Sequence, residues 1–85
     1  MTAIVTLKSG EKYVFTQYGK YLSNYKADGI PMVDFMDTVN YTRICVPVDE
    51  IQSVICSDGQ DITGQVKIFV ENEYVEYLRS RVVVS

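Results

Sequence analysis

The chain has 85 residues, 47% of them apolar, carries a formal net charge of −3 and contains no histidine. At this length a single domain, residues 1–85, buries only roughly 60% of the surface its unfolded chain exposes, so the core is small and oligomerisation assists it. The composition excludes a disordered tail, and the missing histidine excludes a Cys/His or Ser/His nucleophile.

Taken in chain order, Ala3, Val5 and Leu7 alternate with Ile4 and Thr6, Ser9-Gly10 supplies a turn, and Tyr13 and Phe15 resume the alternation. This predicts a β-hairpin in which Tyr13 and Phe15 belong to the core. The next stretch, QYGKYLSNYKADG from Gln17 to Gly29, has two readings. As a helix it places Tyr18, Leu22 and Tyr25 on one face; as a strand it places Tyr21 and Tyr25 with Gly19 and Ser23, opposite Tyr18, Lys20 and Lys26. In GIPMVDFMDTV, Pro31 suits a first helical turn and Met32, Val33, Met36 and Val39 form a stripe, so residues 30–39 are expected to insert a short helix.

Thr42, Ile44, Val46 and Val48 share one face of an extended segment, which Pro47-Val48-Asp49-Glu50 breaks before Ile51–Cys56. Ile51, Val54, Ile55 and Cys56 leave neither face polar, as expected of a central strand covered on both sides. After the turn Ser57-Asp58-Gly59-Gln60-Asp61, Ile62, Val66, Ile68 and Val70 give a period-two face and predict another strand. Val70, Tyr74, Tyr77 and Leu78 then line up at helical spacing, whereas Tyr74, Leu78, Val82 and Val84 share a face in an extended reading. The expectation is a short helix or irregular turn over 72–79, then a terminal strand in RVVVS. The fold class is therefore mainly β: a small, partly open barrel or curved antiparallel sheet of about five strands with one or two short helices.

VTLKSGEKYVF and RICVPVDEIQSV together resemble SH3-like and Sm-like small β-barrels and short proteins of Gram-positive bacteria and their phages. The likeness covers about a third of the chain. It implies a small barrel in a phage or bacterial accessory protein; it carries over no binding residue, because the long Tyr-rich excursion departs from the Sm pattern.

Catalysis is not expected. Asp34/Asp37 and Asp58/Asp61 have the i, i+3 spacing of carboxylate pairs, but the first suits a solvated face and the second a turn. Cys45 and Cys56 are the only cysteines and match no zinc pattern, so structural zinc and other cofactors are not expected. Buried free thiols are favoured over a single disulfide. DGQD lacks the remaining ligands of a calcium loop, and LKSGEK lacks the spacing of a phosphate loop. No run approaches the ~20 apolar residues of a membrane span, and the first residues lack the basic start of a secretory signal. No membrane association and a cytoplasmic setting are expected.

Charge is uneven: Lys8, Lys12, Lys20 and Lys26 face only Glu11 within residues 1–26, a local +3, and the remainder sums to −6. The tyrosines of the opening excursion either cap a barrel end with their rings buried or form a contact surface. The functional expectation is a non-catalytic interaction module that self-associates as a homo-oligomer and binds a protein partner. Its candidate contact surface is Tyr18, Lys20, Tyr21, Tyr25 and Lys26, with Tyr21 or Tyr25 making contact, and its candidate self-association edge is Val82, Val83 and Val84. The first alternative is a nucleotide or single-stranded nucleic-acid binder, with the tyrosines stacking and Lys20 and Lys26 on phosphate; the acidic net charge disfavours it. The second is an acidic decoy using Glu71, Glu73 and Glu76 against a nucleic-acid-binding enzyme.

Overall fold

Alternating β-branched and aromatic residues build the first hairpin where the pattern places it. In the computed structural model, which describes residues 2–24 and 29–82, strands β1 (Ala3–Leu7) and β2 (Lys12–Phe15) pair antiparallel with Val5 opposite Tyr13. Gly10 closes their turn at φ 95°, a backbone conformation that side chains disfavour. Strands β3 (Lys20–Asn24), β4 (Met32–Asp37) and β5 (Thr42–Pro47) form a second antiparallel sheet in the order β3-β4-β5. A 3₁₀ turn at Val48–Glu50 leads to β6 (Ile51–Cys56), which pairs with β1, so the first sheet runs β2-β1-β6. Helix α1 (Thr63–Val82) closes the described chain.

The inward faces of the two sheets share one core. Val5, Leu7, Phe15 and Val54 of the first sheet meet Val33 and Phe35 of the second, joined by Val48, Ile51 and, from α1, Val66 and Val70. The architecture is mainly β, with six strands in two three-stranded antiparallel sheets and one helix. Among the described residues no ladder joins the sheets into a closed barrel. Side-chain bonds span the gap instead: Asn40 Nδ2 donates to the Val14 carbonyl at 3.1 Å, and the Thr16 N–H donates to Asp37 Oδ2 at 2.5 Å.

Several expectations need correction. Residues 62–70 are not a strand, because Val66 and Val70, the two buried positions, are also one helical turn apart, and an Asx turn leads into a helix there. Asp61 Oδ1 accepts the Thr63 N–H at 2.9 Å, and Thr63 Oγ1 in turn accepts the Val54 N–H at 2.8 Å. The helix expected over 72–79 is thus the second half of a 20-residue one. Residues 30–39 are not helical: β4 is the central strand of its sheet, and Val33 and Phe35 point inward. Asp34, on its other face, is buried and bonded to Arg43 of β5.

Nor is β6 a central strand. It is an edge of its sheet, and a bulge opposite Thr6 and Leu7 brings Ile51, Val54 and Cys56 onto the one buried face, so that of the four apolar residues only Ile55 is on the other; along its free edge Ile62 donates to the Val54 carbonyl at 2.9 Å and Cys56 to that of Gln60 at 2.8 Å. The terminal strand also fails at its start, since Val82 ends α1; Val83 and Val84 lie outside the described residues. Both cysteines are free, as favoured, but Cys45 is exposed and only Cys56 is buried.

Candidate functional site

The Tyr-rich stretch begins with a tight turn between β2 and β3. Phe15 is buried, and the Gly19 N–H returns to the Thr16 carbonyl at 2.9 Å, bringing the Gly19 backbone against the Phe15 side chain. A Cβ at position 19 would stand 2.9 Å from the Phe15 Cβ, so only glycine permits this return without a shift. The turn projects Tyr18 into solvent and starts β3 with Lys20 exposed and Tyr21 turned inward. The strand reading of this stretch is therefore the one that holds over Lys20–Asn24.

Tyr21 is half-buried. Its ring lies 6.2 Å from Phe35, and Phe69 of α1 meets it edge-on at 5.4 Å and 82°. Of the five candidate contact residues, Tyr18 and Lys20 are solvent-facing and Tyr21 is a wall between sheet and helix. Tyr25 and Lys26 fall outside the described residues. Tyr13, assigned to the core, is packed against it, with its hydroxyl donating to Glu11.

The turn between β4 and β5, residues 38–41, reaches the same end of the molecule, because Asp37 binds Thr16 and Asn40 binds Val14. Asp37 is buried, which opposes ionisation. The bonds it accepts from Thr16 and from the Val39 and Asn40 backbone outweigh that cost and hold its carboxyl below the usual range. Asn40 Oδ1 accepts the Thr42 N–H at 3.2 Å and completes the turn. These bonds fix the backbone and leave Val39 and Tyr41 outside. Tyr41 is 91% exposed and sits at φ 57°, in the left-handed region that suits glycine or asparagine and is an outlier for a bulky residue.

Val14 on β2, Tyr18 on the β2–β3 turn and Val39 and Tyr41 on the β4–β5 turn are thus exposed apolar residues at an end where a part-buried Thr16–Asp37 bond and an exposed Asn40–Val14 bond tie the two turns together. Beside Tyr41 is a shallow depression of about 280 Å³ bounded by Met36, Thr38 and Arg43. A second cleft, of about 240 Å³, opens between the sheets where Phe15, Tyr21, Phe35 and Cys56 meet, with Lys20 lining it. Density of tyrosine marked Tyr18 and Lys20 in the sequence. Tyr41 escaped notice, and Val39 was placed on the apolar stripe of the helix expected over 30–39; Asn40 between two apolar runs was the available signal of a turn.

The carboxylates that had pair spacing are occupied by the fold. Arg43 Nη2 and Nε donate to Asp34 at 2.8 and 3.2 Å, a bidentate pair that raises the guanidinium's affinity for its proton. Asp58 accepts the Gln60 N–H at 3.0 Å, and the Thr63 hydroxyl and N–H hold Asp61 below the usual carboxylate range. Burial and the Asp34 charge push the Cys45 thiol up, against a smaller opposing pull from Arg43. Among the described residues no cluster of acids and cysteines could hold a metal ion, and no helix is long and apolar enough to cross a membrane. Comparison with known proteins finds no family model, no curated protein and no solved structure that matches this chain.

Proposed function

We propose that this protein is a non-catalytic interaction module that self-associates and binds a protein partner, the partner seating on the turn end formed by Val14, Tyr18, Val39 and Tyr41. The observation that carries the proposal is Tyr41. A bulky side chain in left-handed backbone costs about 1–3 kcal/mol, and at 91% exposure the ring recovers almost nothing by packing within its own chain. Tyrosine is enriched at the centres of protein interfaces, where a flat amphipathic ring gains most from cover. The Thr16–Asp37 and Asn40–Val14 bonds support the same reading, since they hold the presenting turns in place before any partner arrives.

A nucleic-acid ligand is less well supported. Tyr21, one of the three rings expected to stack on bases, is engaged with Phe35 and Phe69, and the Arg43 charge is already matched by Asp34. The acidic-decoy alternative weakens as well, because Glu73, one of its three carboxylates, is half-buried. The resemblance to SH3-like and Sm-like barrels, and with it a cytoplasmic accessory role, belongs to this proposal. Two short antiparallel sheets on one core support it, while the unladdered gap between them departs from a closed barrel.

Capture from cell extract tests the proposal. Wild-type protein should retain a partner that Tyr41→Asn loses, while the variant melts at a higher temperature because asparagine tolerates the left-handed backbone. Equal recovery by both proteins overturns the assignment of this surface.

A further inference from the structure

Helix α1 has a second apolar face that the sheets do not use. Val66 and Val70 point into the core, and Tyr74 continues that side by donating its hydroxyl to the Gly29 carbonyl. On the solvent side stand Ile68, Val75 and Leu78, 60%, 45% and 42% exposed. Their spacing of seven and three residues is that of a heptad seam, and Val82, the last helical residue, falls four positions further on in the same register. A helix that only covers a sheet has no use for large apolar residues at a 3.5-residue repeat on its outer side.

We infer that this seam is where two copies of the chain join, as an antiparallel helix pair with Val75 of each copy packed on Leu78 of the other. The inference deepens the self-association part of the proposed function and rests on it. Charge selects both the occupant and its direction. Glu71 occupies the one seam position between Ile68 and Val82 that is not apolar. In an antiparallel pair, Glu71 comes beside Leu78 and Arg79 of the second copy, so two Glu71–Arg79 attractions form about the two-fold axis. In a parallel pair, Glu71 would meet Glu71, a like-charge contact.

Arg79 is available for this exchange. Its present bond to Glu76, at 3.3 Å with both side chains about 70% exposed, is of a kind that contributes little. The globular part of each copy lies on the inward face of α1, so a second helix reaches the seam without displacing it. The antiparallel direction then carries the two globular parts to opposite ends of the pair.

The test combines mass measurement with cysteine cross-linking in a Cys45→Ser background, which removes the exposed native thiol. Light scattering over a wide concentration range should show a monomer–dimer equilibrium. Val75→Cys chains mixed with Leu78→Cys chains should oxidise to a disulfide dimer, while Ile68→Cys alone should not, since antiparallel pairing separates the two copies of that position. Glu71→Arg and Arg79→Glu should each weaken the dimer about tenfold, and the double swap should restore it. Unchanged melting of the dilute monomers checks that these exposed substitutions spare the fold. A dimer that cross-links through position 68, or fails to link 75 to 78, overturns the antiparallel seam while leaving self-association standing. A monomer at every concentration overturns both.

Discussion

Tyr21→Ala separates the two roles that a tyrosine in this stretch can have. The ring stands opposite Phe35 in the β3–β4 ladder and is boxed on its other side by the edge of Phe69. Truncating a fully buried aromatic costs about 3–5 kcal/mol, and a half-buried one with two ring partners should lose about 2–3. The whole stability of a chain this size is only about 4–13 kcal/mol. At roughly 4–8 °C per kcal/mol, the melting temperature should fall by about 10 °C or more. Urea titrations of wild type and variant, repeated over a range of protein concentrations, measure the loss directly. It should not vary with concentration, because it arises within one chain. Tyr21→Phe keeps the ring and should cost less than about 1 kcal/mol, and a cycle with Phe69→Ala should return a coupling of about 0.5–1.5 kcal/mol. A loss below about 0.5 kcal/mol for Tyr21→Ala would refute the reasoning and return the ring to the contact surface.

Tyr41→Gly should stabilise the monomer by about 1 kcal/mol in the same titrations, because glycine relieves the left-handed strain and no packing is lost; destabilisation would show that the exposed ring is supported after all. The Asp37 carboxyl has a depressed folded-state pKa, so its contribution is present above the unfolded value near ~4 and disappears as pH falls through the folded one. Asp37→Asn should therefore lower stability at neutral pH and flatten the acid limb of the stability–pH curve, read by melts between acid and neutral buffers. Cys45, though exposed, should alkylate more slowly at neutral pH than a free thiol, since burial and Asp34 raise its pKa. Asp34→Asn should speed that alkylation and Arg43→Ala should slow it further; the reverse order would contradict the electrostatics.

The first hairpin was legible because alternation and Ser9-Gly10 agree, so local pattern and local turn chemistry point the same way. The 57–61 turn and the strands on either side of Pro47 were legible for the same reason. Helix α1 was hidden by carrying apolar residues on two sides: Val66 and Val70 inward, Ile68, Val75 and Leu78 outward, which together mimic a strand over 62–70 and blur any single stripe. Strand β4 was obscured differently. Met32 and Met36 give its outer face an apolar character, and the partner that makes Asp34 tolerable there, Arg43, lies on the next strand. At the site, aromatic density was enough to single out Tyr18, whereas the exposure of Tyr41 depends on a left-handed backbone that a lone tyrosine does not announce.

Photo-cross-linking from position 41 in living cells tests the central claim most directly. A benzophenone side chain placed there should yield a discrete adduct with a different polypeptide, weaker from position 18, and absent from Lys8, which is exposed on the β1–β2 turn away from the Thr16–Asp37 and Asn40–Val14 links. No adduct at position 41, or an equal one at position 8, would contradict the assignment of this end as the surface through which the protein acts.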